Sequence, residues 1–467
     1  MHIKSGLFTI GSAVLLLEGC QKIEKNFAPT VSTPWQPIHT TTLHNEFITK
    51  KALLSGKYSL IDLVEIGLQQ NPQTKCAWWQ AKEAFAHQGQ ANAKFFPSID
   101  ASVSVNRSQE GKAGTTNTKR SDYWGPALSL SYQIFNFGAD VASAKSATHL
   151  LYAANYEFNQ TLQSVVFQIQ QAFYEFSSAC AKIEARESCL RDAELSFEAV
   201  SKKKANGLAC IQDQLLAQAD KLQAEYELEE SKSYLESCRA NLATAIGIPI
   251  STDFSIETDY LNSKTQSILS NAEELMASTL KSRADLLANE EKLAASRWAQ
   301  KATQRANLPS LVFNTKANLL KHRTLSSWQR NYDLSLGMQW NIFSGFEQQY
   351  NELASYTQVK EQKYALRQKK LETLGQTWSA FHSFRSSIQL LTAAETLEKA
   401  SSEALEAIRI GYNSGVNSLL DLLSAQKTLS NARLSHIQAQ TNVKLSLVKL
   451  AYVTGQLDVE QANVFNL

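Results

Sequence analysis

The chain has 467 residues, with 46 Lys and Arg against 44 Asp and Glu, a formal net charge of +2. That balance gives no electrostatic case for nucleic acid. Apolar residues at 43% and charged residues at 19% exclude wholesale disorder. Glycine at 18 and proline at 8 fall well below the usual shares of about 7% and 5%, so tight turns are few and helices can be long.

Residues 1–20 read as a signal peptide. Lys4 precedes an apolar stretch, 7–17, too short to span a bilayer as a helix. Leu17-Glu18-Gly19-Cys20 is similar to a bacterial lipobox, which predicts lipidation of Cys20; Glu18 departs from the usual small or apolar residue. The alternative is an ordinary signal peptide. Gln21, in the absence of Asp after the cysteine, fits outer-membrane sorting. Residues 21–57, with Pro29, Pro34, Pro37 and Trp35, read as an extended linker. No later segment has 18 consecutive apolar residues, so no transmembrane helix is predicted. A transmembrane β-barrel stays open, because its strands are half polar.

The chain repeats itself. Gly207 and Gly415, Gly247 and Gly455, Asp213 and Asp421, Leu215 and Leu423, and Gln218 and Gln426 all lie 208 apart. Pro97-Ser98 and Pro309-Ser310 match at 212. One order at a near-constant offset predicts a duplication: a first unit over 58–250, a linker over 251–270, a second unit over 271–457 and a tail over 458–467.

Within the first unit, the pattern predicts a helix over about 73–96, strands over about 98–106 and 127–135, and helices over about 139–206 and 209–246. In the second it predicts a helix over 283–308, strands over 310–320 and 332–343, and helices over 346–411 and 416–454. The strands alternate. Ile99, Ala101, Val103 and Val105 interleave with polar residues, as do Leu334, Leu336, Met338 and Trp340. A sandwich and a membrane barrel both have one apolar and one polar face. Four strands make neither alone, and a membrane barrel needs at least about eight, so several chains must contribute. The polar segments 107–122 and 320–331 suit exposed loops.

The long helices break at Gly207 and Gly415, each read as a helix stop followed by a reversal. In the last helix Leu422, Leu429, His436, Val443 and Leu450 recur every seven residues, beside Ala425, Ala432, Ala439, Ser446 and Val453. This is a coiled-coil seam with one small position per pair. His436 within it reads as a polar register residue, or as a pH switch. After Cys20, the five cysteines 76, 180, 189, 210 and 238 show no metal spacing and read as small buried helix residues; a disulfide is the other reading. No phosphate loop, dinucleotide fingerprint, zinc-protease or nucleophile-elbow motif occurs, so neither enzyme nor cofactor is predicted.

The order helix, strand pair, long helix, glycine turn, long helix, occurring twice, resembles the TolC/OprM-type outer-membrane efflux proteins over about 58–457. Tyr58-Ser59-Leu60 through Asn71-Pro72 is similar to that family's opening helix. Gln133-Ile134-Phe135-Asn136-Phe137-Gly138 and Asn341-Ile342-Phe343-Ser344-Gly345 resemble its strand-to-helix junctions, and Tyr412-Asn413-Ser414-Gly415 its periplasmic turn. The resemblance implies a mainly α fold with membrane β. It implies a homotrimer whose twelve strands form one outer-membrane barrel, continued by a periplasmic helical tube. The protein would be a passive exit duct for efflux or type I secretion, opened by a periplasmic adaptor and an inner-membrane transporter. Asp421 matches an aspartate lining the closed aperture, where three copies would form a cation-selecting ring. Asp213 holds the equivalent place in the first unit. The other reading of both is a solvated aspartate at a helix start. Ser424 stands where some members carry a second aspartate, and Asn417 where some carry a latching arginine. Tyr412 matches a turn tyrosine that hydrogen-bonds across helices. Lys202, Lys203 and Lys204 read as a solvated face or as a contact for an acidic adaptor tip. A periplasmic coiled-coil scaffold is the competing class, and it should carry one hairpin between β-rich halves rather than two.

Overall fold

The computed structural model describes residues 57–111, 118–250, 255–256, 272–323 and 327–457. The predicted signal peptide, Cys20, nearly all of the 21–57 linker and the 458–467 tail lie outside them.

The first unit opens with β1 (Lys57–Tyr58), α1 (Leu60–Gln70) and α2 (Pro72–Ala93). Ser59 and Asp62 form a capping box that starts α1. Asn71 ends α1 and starts α2, its side chain accepting from the Gln73 amide at 2.8 Å and donating to the Ala245 carbonyl at 2.7 Å. Then come β2 (Ser98–Gly111), β3 (Thr118–Phe135), α3 (Ala139–Ala205) and α4 (Ile211–Ile246). β4 (Ser255–Ile256) lies inside the predicted linker and pairs in parallel with β1. The second unit has α5 (Ala272–Ser282), α6 (Ala284–Ala306), β5 (Ser310–His322), β6 (Trp328–Gln339), α7 (Glu347–Asn413) and α8 (Leu419–Thr454). Matching helices agree in length: α3 and α7 have 67 residues each, and α4 and α8 have 36. At 1.5 Å per residue these run about 100 Å and about 54 Å.

Five helix ends differ from their predicted limits by two or three residues. Residues 94–96 and 307–308 are turns after α2 and α6, and Ser418 and Cys210 sit outside α8 and α4 as their N-caps. The strands differ more. β2 and β3 run through most of the segment 107–122 that read as loop, and β5 and β6 through most of 320–331. Alternation reports the environment of a strand, and it lapses where the strand leaves an apolar layer although the ladder continues. Arg107 and Asp122, for example, still face each other as register partners. Conversely, residues 340–343 keep the alternation but lie beyond the ladder.

The four long strands form one antiparallel sheet in the order β2-β3-β5-β6. The core lies among the helices. Val165, Ile169 and Phe173 of α3 are buried with Val64 of α1, Leu242 and Ile246 of α4, and Leu286 of α6. In the second unit Ala380 and Phe384 of α7 pack on Val443, Leu447, Leu450 and Val453, so part of the predicted seam is an observed contact. His436 is part-buried, with Nδ1 2.5 Å from the Glu398 carboxylate and Nε2 3.1 Å from Gln440. The described cysteines are all free, and only Cys238 is buried; Cys76 and Cys210 are exposed, which corrects the buried-residue reading. No described helix is long and apolar enough to cross a membrane.

Gly247 closes α4 in the left-handed conformation, φ +85°, and a Cβ there would lie 2.8 Å from Asn71 Cα. Gly247→Ala therefore meets both backbone strain and a backbone clash. We expect it to cost about 1–2 kcal/mol from handedness alone, read as a lowered melting midpoint.

Candidate functional site

Two surfaces of the chain can carry function: one face of the sheet, and the ends of the two helical hairpins.

Register places most apolar residues of the four strands on one face. Ala101, Leu128, Ala317 and Tyr332 form one row, and Ile99, Leu130, Thr315 and Leu334 the next. Tyr132, Phe313 and Leu336 continue it. The opposite face has Asp100, Ser129, Lys316 and Asp333 in one row and Ser98, Ser131, Asn314 and Ser335 in another. No described residue covers the apolar face: Val105 is 84% exposed and Met338 72%. Aromatic residues bound it. Trp124 and Trp328 meet edge to face at 5.2 Å at the end away from the helices. Phe135, Phe137, Trp340, Phe343 and Phe346 gather at the helical end. Trp328 to Trp340 is about 40 Å along a strand at roughly 3.3 Å per residue, or about 28 Å of height at a 45° tilt. A membrane barrel's apolar band is about 25 Å tall between aromatic girdles. Among the described residues both outer strands, β2 and β6, have an unpaired edge.

At the far ends of the helices, α3 turns into α4 through Gly207 (φ +75°), and α7 into α8 through Gly415 (φ +77°). The two tips pack on each other within the chain. Val200 and Ala217 of the first hairpin bury against Leu419 and Leu422 of the second. Tyr412 packs beside this cluster, and the Lys203 ammonium sits 4.1 Å from its ring centroid.

Asp421 and Asp213 hold the same place in their hairpins, each the third residue of a helix capping box. Asp421 Oδ2 accepts from the Ser418 hydroxyl at 2.7 Å and the Ser418 amide at 2.9 Å, while Ser418 Oγ accepts from the Asp421 amide at 3.2 Å. These bonds, the hydroxyl's first, lower the Asp421 pKa below its ordinary value. Cys210 replaces Ser418 in the first hairpin, and its thiol and amide lie 3.1 and 3.4 Å from Asp213 Oδ2. Asp213 is thus held by a weaker donor at longer range.

Ser424 is exposed on α8 and its carbonyl accepts from Thr428. Asn417 folds back onto its own hairpin, where a Cβ on Gly411 would come within 1.9 Å of its Oδ1. The lysines after Val200 are engaged locally: Lys202 pairs with Glu198 at 2.8 Å, and Lys204 donates to Gln214 at 2.5 Å. A polar cavity of about 80 Å³ behind the tips was not foreseen. It is lined by the Arg186–Glu227 pair, Asp220 and Lys427. Burial, then the Glu227 charge, raises the Asp220 pKa, and Lys427 opposes them. Arginine and acid a helix turn or more apart carry no local motif, so sequence reading passes over them. No group of three metal-ligating side chains occurs among the described residues. The described tips thus offer fixed charge at Asp421, Asp213 and the lysines.

Comparison with known proteins follows the same lines. The family model for outer membrane efflux proteins matches residues 63–248 and 275–456. Protein CyaE of Bordetella pertussis is 22% identical over 421 residues, 85% of this chain and 84% of its own length. The alkaline protease secretion protein AprF of Pseudomonas aeruginosa is 26% identical over 168 residues, 36% of this chain and 35% of its own. The solved structure of the outer-membrane channel OprN superposes with a TM-score of 0.77 at 20% identity, covering 85% of this chain and 90% of OprN. Two family segments, in register with the two structural units, leave one conclusion: the chain belongs to the outer membrane efflux protein family and is a channel-tunnel protein of the outer membrane.

Proposed function

We propose that the chain is the passive exit duct of a tripartite export system, working as a homotrimer. Three four-stranded sheets close into a twelve-stranded barrel, and the long helices extend it as a tube through the periplasm. The observation that carries this reading is the apolar sheet face with aromatic residues at both ends and two outer edges, none of them covered or paired by the described residues. Lipid would cover the face, and neighbouring copies would pair the edges, as a bilayer demands. A dimer would close only eight strands, a barrel filled by side chains. A coiled-coil scaffold has no use for such a sheet.

At the periplasmic end three copies of Asp421, with Asp213 beside them, would ring the aperture and favour cations. Tyr412 and Lys203 tie the two tips of each chain and resist their separation. An adaptor and an inner-membrane transporter would open the ring and supply the work, so the duct needs neither cofactor nor catalysis. The likeness to a secretion protein over 168 residues supports protein export beside small-molecule efflux as cargo. Cys20, if lipidated, would anchor each N-terminus, each buried CH₂ contributing about 0.8 kcal/mol.

Native mass spectrometry of protein extracted from membranes in detergent tests this. The expected species is a trimer whose subunits start at a triacylated Cys20. A trimer without the adduct keeps the duct and removes the anchor. A monomer that stays in solution without detergent would sink the barrel.

A further inference from the structure

The outward face of the sheet is not uniform along its height. Every helix joins the sheet at one end: α2 and α6 lead into β2 and β5, and β3 and β6 lead out to α3 and α7. The other end carries the Trp124–Trp328 pair. Three successive rows there, spanning about 13 Å along the strands, hold Arg107, Asp122, Arg323, Lys321 and Arg330. In the uppermost, Arg107 and Arg323 converge on Asp122, at 3.6 and 3.8 Å. In the next, Lys321 stands between Trp124 and Trp328, its partners in the register. In the third, Arg330 faces Leu319. Below them the face has no charge as far as Met338.

A charge facing lipid is tolerated only where it reaches the headgroup layer. Cations at one end and none at the other therefore mark one leaflet in particular. On these three rows four basic residues stand with one acidic residue, Asp122. The guanidinium forks and the ammonium match phosphate oxygens. The edge-to-face indoles supply the amphipathic floor that sits between headgroup and acyl chain.

We propose that this patch binds a phosphorylated lipid of the outer leaflet, its phosphate seated among Lys321, Arg330 and the Asp122-held arginines. Its acyl chains lie along the apolar rows that include Leu128, Ala317 and Tyr332. The proposal rests on the barrel reading above, because only a membrane-seated sheet presents this face to lipid.

The test titrates the detergent-extracted protein with diphosphoryl lipid A and, separately, with monophosphoryl lipid A of the same acyl chains. Bound lipid is read by native mass spectrometry. The trimer should hold the diphosphoryl form about tenfold more tightly. Lys321→Gln with Arg330→Gln, both on the lipid face, should erase that preference while the spectrum still shows a trimer. Inorganic pyrophosphate at equal concentration should not displace the lipid. Equal retention of the two lipids by the wild-type trimer would overturn the proposal, a result that needs no variant to fold. So would an unchanged preference in the double variant, or displacement by pyrophosphate, which would make the patch a plain anion site. A chain that needs no detergent would fail the barrel reading first, and is distinguished by that behaviour.

Discussion

Gly125→Ala should abolish the assembled trimer in the outer membrane, read as loss of the heat-sensitive trimer band on semi-native gels of membrane extracts. A Cβ at 125 would lie 1.8 Å from the Leu319 carbonyl oxygen and 2.9 Å from its carbon. The obstacle is backbone, so no side chain can swing away. β5 cannot retreat either, because Leu319 and Leu320 pair with Arg330 and Gln329 of β6 on the other side. β3 and β5 would have to part between Trp124↔Lys321 and Ala127↔Asn318. Each unmade ladder bond leaves backbone groups without a partner, at about 1–3 kcal/mol apiece. Gly337→Ala is the control, since nothing lies within 4 Å of its added carbon and the trimer should persist.

Asp421→Asn should weaken the channel's cation preference in planar-bilayer recordings while the closed tip stays folded. Asparagine keeps an oxygen to accept from the Ser418 hydroxyl and amide, and loses only the charge. Alanine loses both, so Asp421→Ala confounds selectivity with an uncapped α8. Unchanged ion selectivity in the asparagine variant would remove Asp421 from the aperture. The acid dependence has a definite sign. Hydrogen bonds to the ionised form depress the carboxyl pKa in the folded chain. Its contribution to stability is present above the unfolded-state pKa and is lost as pH falls through the lowered folded value. Cation preference should accordingly survive through the ordinary carboxylate range and fade only below it.

Much of this architecture is written in simple periodicities. Gly207, Gly415, Gly247 and Gly455 are spaced alike because each must take positive φ at a helix end, and few other residues do so cheaply. Ile99 to Val105 alternate because a sheet with one face in an apolar medium has no other option. What stayed hidden lacks a local rule. The strand at Arg107 and Asp122 is polar on both faces, so only its long-range partners define it. The β1–β4 pair joins two-residue segments almost 200 positions apart, too short to show any period. At the tips, Asp421 and Asp213 were visible as helix-start acids. The difference between a serine and a cysteine cap emerges only when Oδ2 distances are compared. The Arg186–Glu227 cavity needs four helices to exist at all.

The equal lengths of α3 and α7, and of α4 and α8, act as a shared gauge between two sequences that have otherwise drifted apart. Because Val200 and Ala217 must meet Leu419 and Leu422 at the same height, neither hairpin is free to grow or shrink alone. Point substitutions can accumulate in either half, but an insertion in one must be answered by an equal insertion in the other. The two hairpins of this chain differ in residue identity but agree in length, so the reach of the tunnel is set by the pair.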